Sequence, residues 1–118
     1  MNRSRRAPFL AAAAVFATTV TLSAHAADEV AIQKGHDVFQ YWCTACHGDG
    51  PTRPGTTALQ VKYNGTKPAM LEARKDLTPE LVRFFVRNGV NVMPPFRKTE
   101  ITDADLNALA AYLSRKRR

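Results

Sequence analysis

Residues 41–50 read YWCTACHGDG and hold both cysteines of the chain, Cys43 and Cys46, with His47 directly after the second. Two thiols at this spacing beside an imidazole suit three chemistries: a redox dithiol, part of a zinc site, or covalent attachment of a haem. A dithiol motif belongs in a thioredoxin-like βαβ context, and nothing downstream supplies alternating strands. A structural zinc ion takes four ligands, usually as two closely spaced pairs. Cys43, Cys46 and His47 offer three; His25 falls in an N-terminal leader and His36 stands alone. Haem attachment uses all three residues at this spacing. The two thiols add to the two vinyl groups of one porphyrin, and the next residue presents its imidazole to the iron. His47 is then the proximal axial ligand.

A second axial ligand has three candidates: Met93, Met70 and His36. Met93 lies in GVNVMPPF, after a glycine and before two prolines, which predicts an extended loop held stiff by the prolines. A thioether on such a loop suits the opposite face of a porphyrin. Met70, in KPAMLEARK, is the competitor. His36 stands one or two helical turns before Cys43 and is expected to face solvent. A methionine is ordinarily core filler, but the paired prolines beside Met93 are poor company for a residue packed inside a helix.

The leader decides where this chemistry takes place. Arg3, Arg5 and Arg6 precede an apolar run from Phe9 to Leu22, and AHA at residues 24–26 completes the pattern of a secretory signal peptide. The run is short for a membrane span. A proline between the arginine pair and Phe9 favours the general secretory route over a twin-arginine one. Cleavage after Ala26 leaves residues 27–118 as one small domain, of a size that often needs a cofactor to complete its core. It also removes three arginines and no acid, taking the formal charge from +7 to +4. The terminal RKRR, Arg115 to Arg118, reads as a solvated helix end whose cations suit the helix dipole. Neither nucleic-acid binding nor membrane insertion after cleavage is expected, and the predicted location is the periplasm.

Three helices are predicted. The first runs from about Val30 to Tyr41, with Val30, Lys34, Val38 and Tyr41 along one stripe and Ile32, Gly35, Phe39 and Trp42 along another. A glycine inside it costs stability relative to alanine, which a close helix crossing would justify. The second starts at LTPEL, with Thr78 as N-cap and Pro79 at the first helical position. It carries Leu81, Val82, Phe85 and Val86 and ends at Gly89. The third starts at Thr102, where TDAD resembles a capping box, and its inner stripe is Leu106, Leu109, Ala110 and Leu113 with Tyr112 alongside. Residues 48–76 are rich in glycine and proline and read as a long wrapping loop, with a short helical turn in TTALQVKY and another in PAMLEARK.

Gly35, Phe39, the CTACH motif, MPPF, and Leu109 with Tyr112 together resemble the small class-one monohaem cytochromes c. The resemblance implies an all-α fold of three main helices and long loops around one covalent haem c, with Cys43 and Cys46 as thioethers and His47 and Met93 on the iron. It implies a crossing of the first and last helices at Gly35, and a proline carbonyl, from Pro51 or Pro54, bonded to the far nitrogen of His47. GTTALQVKYNG, residues 77–103 and LAAYLSR are similar, more narrowly, to the cytochrome subunits of flavocytochromes such as p-cresol methylhydroxylase and the eugenol and vanillyl-alcohol-type hydroxylases. This implies no catalysis by the chain itself and a redox partner, an FAD-containing dehydrogenase acting on phenols. The alternatives are a diffusible respiratory shuttle and an open-site haem sensor or peroxidase. Arg53, Lys62, Lys67, Arg97 and Lys98 are candidates to steer an acidic partner. Tyr63, Trp42 and Arg97 are candidates for haem propionates, and Phe84, Phe85 and Phe96 for an apolar docking patch.

Overall fold

The computed structural model describes residues 19–116, with side chains from residue 25 onward. In chain order come α1 (Thr19–Trp42), α2 (Thr44–His47), α3 (Pro54–Tyr63), a 3-10 helix (Leu71–Ala73), α4 (Pro79–Asn88) and α5 (Asp103–Ser114). Among the described residues extended backbone pairs only in an isolated bridge between Val90 and Met93, in keeping with an all-α chain. Most of the proposed leader, with Arg3, Arg5 and Arg6, lies outside the described residues, as do Arg117 and Arg118. Among the described residues no helix is long and apolar enough to cross a membrane.

Two predicted boundaries change. The first helix does not start near Val30: it is already in place at Thr19, where the described residues begin, because Ala24, Ala26 and Ala27 are strong helix formers with no breaker among them. Residues 48–76 are not one long loop, since TTALQVKY extends into the ten-residue α3 with Pro54 opening it. Asn64 closes that helix in the left-handed conformation, a position its short polar side chain tolerates.

α1 packs mainly against α5, and α4 packs against α5 as well. The stripe of Ile32, Gly35, Phe39 and Trp42 faces this core, whereas Val30 and Tyr41 are 70% and 79% exposed. Only Val38 of the other predicted stripe is buried. Gly35 is where α1 meets α5: a Cβ there would stand 2.1 Å from the carbonyl oxygen of Ala108 and 2.6 Å from Cβ of Tyr112. The glycine therefore trades helix propensity for backbone contact. Lys34 reaches across the same crossing to Asp105 at 3.1 Å.

Both downstream helices start as their sequences predict. Thr78 Oγ1 accepts from Leu81 N at 3.2 Å, and Thr102 Oγ1 accepts from Asp105 N at 3.1 Å. Each cap is preceded by an apolar residue of a hydrophobic staple: Leu77 packs on the cluster that holds Val82, and Ile101, fully buried, shares it with Leu106. The inner stripe of α5 is buried throughout, Tyr112 included. On α4, Val82 and Val86 are buried and Phe85 is half-buried, while Phe84 is 58% exposed.

Candidate functional site

Trp42 ends α1, and Cys43 turns the chain directly into α2. Cys43 N donates to Phe39 O at 2.9 Å, and His47 N donates to Cys43 O at 2.8 Å. The two thiols are therefore held on one turn of backbone, and neither is in a disulfide. Cys43 is half-buried and Cys46 exposed. Burial, with the neighbouring Cys46 adding to it, pushes the Cys43 thiol up to about 12. Among the described residues no group of three His, Cys, Asp or Glu side chains is placed to hold a metal ion, which counts against zinc.

His47 is fixed from below by α3. Thr56, buried in the first turn of α3, donates its hydroxyl to Gly48 O at 2.8 Å, tying α3 to the turn after the imidazole. Gly55 lies against the ring: a Cβ there would sit 2.7 Å from Cε1 and 2.9 Å from Nδ1. Nδ1 is buried without a hydrogen-bond partner, so the expected proline carbonyl is not there. Pro51 O accepts the Thr57 hydroxyl at 3.4 Å, and Pro54 opens α3, where its carbonyl serves the helix. Burial lowers the pKa of His47, leaving a neutral ring at physiological pH, the form that binds a metal.

Met93 is held by a tight turn more than by the prolines alone. Val90 N donates to Met93 O at 3.1 Å and Met93 N to Val90 O at 2.9 Å, with Asn91 at φ 52° between them. Gly89, at φ 67°, lets the chain leave α4: a Cβ there would stand 2.4 Å from Met93 O. Trp42, Cys43, Leu71, Leu77, Met93 and Phe96 are half-buried apolar groups packed on the same core. Met70 lies elsewhere, in an open cleft of about 300 Å³ lined by Gln60, Gly65, Lys67, Pro68, Ala69 and Ala73. None of Cys43, Cys46, His47 or Met93 borders that cleft. His36 is half-buried, with its ring edge-on to Tyr112 at 5.4 Å and Nδ1 3.4 Å from Asp37.

These residues fit a haem. Two uncrosslinked thiols share one turn with an imidazole whose buried Nδ1 leaves Nε2 as its metal-binding nitrogen, beside a half-buried apolar wall. The comparisons agree. The family model described as cytochrome c oxidase, cbb3-type, subunit III matches residues 30–113. The chain belongs to this cytochrome c family. Cytochrome c6 of Cyanidioschyzon merolae (strain NIES-3377 / 10D) is 32% identical over 79 residues, covering 67% of this chain and 68% of the relative. No solved structure matches significantly. The cytochrome is thus an electron-transfer protein with covalently attached haem c, not an enzyme, and its helices form the small all-α cytochrome c fold.

The remaining candidates divide. Tyr63 takes part in a cluster that the sequence did not signal: Arg74, its side chain 9% exposed, donates to Tyr63 Oη at 2.7 Å and to both oxygens of Asp76 at 2.8 and 2.7 Å. Lys67 adds a contact to Asp76 at 3.1 Å. The charges of LEARKD have no periodicity that would mark one arginine as buried. Trp42 pairs with Phe96, and Arg97 is exposed and paired with Glu100 at 3.5 Å. Lys98 pairs with Asp103 at 2.7 Å, Arg53 donates to Asp49 O at 3.4 Å, and Lys62 is exposed. Arg115 is not simply solvated, since its guanidinium lies 3.7 Å over the Tyr112 ring and donates to Tyr112 O.

Proposed function

We propose that this cytochrome is exported, is cleaved after Ala26, and carries single electrons through an iron held by His47 and Met93. Haem iron, when bound, supplies one-electron transfer. The protein's part would be to hold the iron through His47 and Met93 and so keep other ligands out. His47 is neutral and fixed by Gly55 and Thr56, so its Nε2 keeps a set direction. Met93 is fixed by its bridge to Val90 and by the core beneath it. A thioether in the second position raises the reduction potential and leaves no place for peroxide or a gas, which sets aside the sensor and peroxidase readings. The observation that carries the assignment is the shared packing of Met93 and Cys43 on one core while Met70 lines a separate cleft.

Met93→Ala should abolish the sulfur-to-iron charge-transfer band and lower the reduction potential, with the haem still attached through Cys43 and Cys46. Met70→Ala should leave both unchanged. The reverse result would transfer the ligand role to Met70.

The proposed donor is a flavoprotein dehydrogenase of phenolic substrates. It is supported by the flavocytochrome resemblance and by the exposed Phe84 in the middle of α4 and Val90 and Val92 in the turn after it. Native mass spectrometry of the gently purified periplasmic protein, with a flavin absorbance scan, tests it. A flavin-containing complex supports a flavocytochrome subunit. One chain with one haem, and no flavin, would make it a diffusible shuttle.

A further inference from the structure

We infer that Arg87 is a positioning residue for the axial methionine, an assignment that rests on the Met93 ligation proposed above. The segment from Gly89 to Phe96 leaves α4 and folds back along it. Its first half is closed by the Val90–Met93 bridge. Its second half passes through Pro94 and Pro95, which have no N–H to offer, and is fastened at Phe96. Phe96 N donates to Val86 O at 2.8 Å. The Phe96 carbonyl accepts from Arg87 Nη1 at 3.0 Å, while Arg87 Nη2 donates to Asp103 Oδ1 at 2.9 Å in the first turn of α5. One guanidinium thus joins α4, the end of the methionine loop and the start of α5. Its side chain is 22% exposed, so solvent weakens these bonds less than it would at an open surface.

The consequence is one of effective concentration. A protein ligand competes with a free one through how tightly its tether confines it. Backbone bonds hold Met93 from the upstream side, and Phe96 is the first downstream residue with an N–H to donate. Arg87 secures the one carbonyl at that point, and its planar fork serves two acceptors at once. Glutamine or lysine in its place carries its donors on a single nitrogen and lacks the two separate arms of the fork. Without the clamp Met93 keeps its turn, but Phe96 is left with only its amide bond to Val86 O as a downstream anchor, and an external base should displace the methionine more easily.

The test is an imidazole titration of the ferric, full-length holoprotein, followed by loss of the charge-transfer band. Arg87→Gln should bind imidazole about tenfold more tightly than the wild type, in line with loss of a charge-assisted hydrogen bond. The Phe96 amide should exchange faster, with covalent haem unchanged. Arg87→Lys keeps the charge and one bond and should fall between them; it also serves if Arg87→Gln does not accumulate. Arg83→Gln is the control, because Arg83 leaves the same helix to bond Asn107 on α5 at 2.9 Å; it should stay within about twofold of the wild type. If Arg87→Gln gains no imidazole affinity while Met93→Ala abolishes the band, the ligand assignment stands and the role of Arg87 is overturned. Equal gains in the Arg83 and Arg87 variants would also overturn it, assigning the effect to general loosening of α4 on α5. If Met93→Ala leaves the band intact, the ligation fails and this inference fails with it.

Discussion

The indole of Trp42 meets the ring of Phe96 edge-on, with centroids 5.7 Å apart and planes at 75°. Trp42 directly precedes Cys43, and Phe96 lies three residues beyond Met93. One aromatic contact therefore spans the attachment motif and the methionine loop, two segments far apart in sequence. Edge-to-face geometry places the positive rim of one ring against the negative face of the other. Phe96 is also held through its backbone by Val86 and Arg87, so the contact has a fixed partner.

A double-mutant cycle with Trp42→Leu and Phe96→Leu should return a coupling of about 1 kcal/mol in denaturant unfolding of the holoprotein. Each single change should also weaken the charge-transfer band, because Phe96 ends the loop that carries Met93 and Trp42 holds its ring. Additive stability effects would mean that the two rings are neighbours without being partners.

Gly35→Ala inverts the usual rule for helix interiors. Alanine should gain about 0.5–1 kcal/mol there from propensity alone. Here the new methyl would meet the Ala108 carbonyl and Tyr112 Cβ, and both must move for α1 and α5 to remain in contact. Overpacking of this kind costs about 1–3 kcal/mol, so a net loss of stability is expected. A gain in unfolding free energy would show that the helices separate at no cost.

What the sequence made legible follows from how local each signal is. The caps at Thr78 and Thr102 and the stripe of α5 are set by neighbours within one helical turn, and the structure follows them. Gly35 was legible because a glycine in a helix asks for a reason. Arg87 and Arg74 were not, since their partners Phe96, Asp103 and Tyr63 are distant in sequence or off any helical period. The helix upstream of Val30 has a similar cause: Val30 marks the onset of the amphipathic pattern, whereas alanine-rich backbone stays helical without one. The proline carbonyl expected at His47 is absent because Pro54 opens α3 and Pro51 O accepts from Thr57, and α3 is longer than the short turn its sequence suggests.

Acid should weaken the fold partly through Asp76. Hydrogen bonds from Arg74, with Lys67 adding to them, hold its carboxyl well below the usual aspartate range. A carboxylate depressed in the folded state stabilises it above the unfolded value of about 3.9, and that contribution is lost as pH falls toward the lower folded value. Asp76→Asn should therefore be less stable than the wild type at about pH 6, with the gap narrowing by about pH 2.5. Because Asp76 is half exposed, salt should narrow it too. A gap independent of pH would mean that the carboxylate charge contributes nothing.

Gly55→Ala tests the cradle beneath the proximal imidazole. The residue lies in the first turn of α3, where alanine suits the helix, yet its methyl would meet the His47 ring at Cε1 and Nδ1. Thr56 bonds the turn after His47 to the same end of α3, so α3 cannot withdraw without breaking a buried hydrogen bond. Either the ring tilts or the bond is lost, and each route costs about 1–3 kcal/mol. The variant should unfold at lower denaturant concentration and show a shifted reduction potential, with both thioether bonds intact by mass. Thr56→Val separates the two routes, since it removes the bond without touching the ring and should lower stability with less effect on the potential. If Gly55→Ala leaves stability and potential unchanged, His47 is not held by α3 and its orientation must be set by the α2 turn alone.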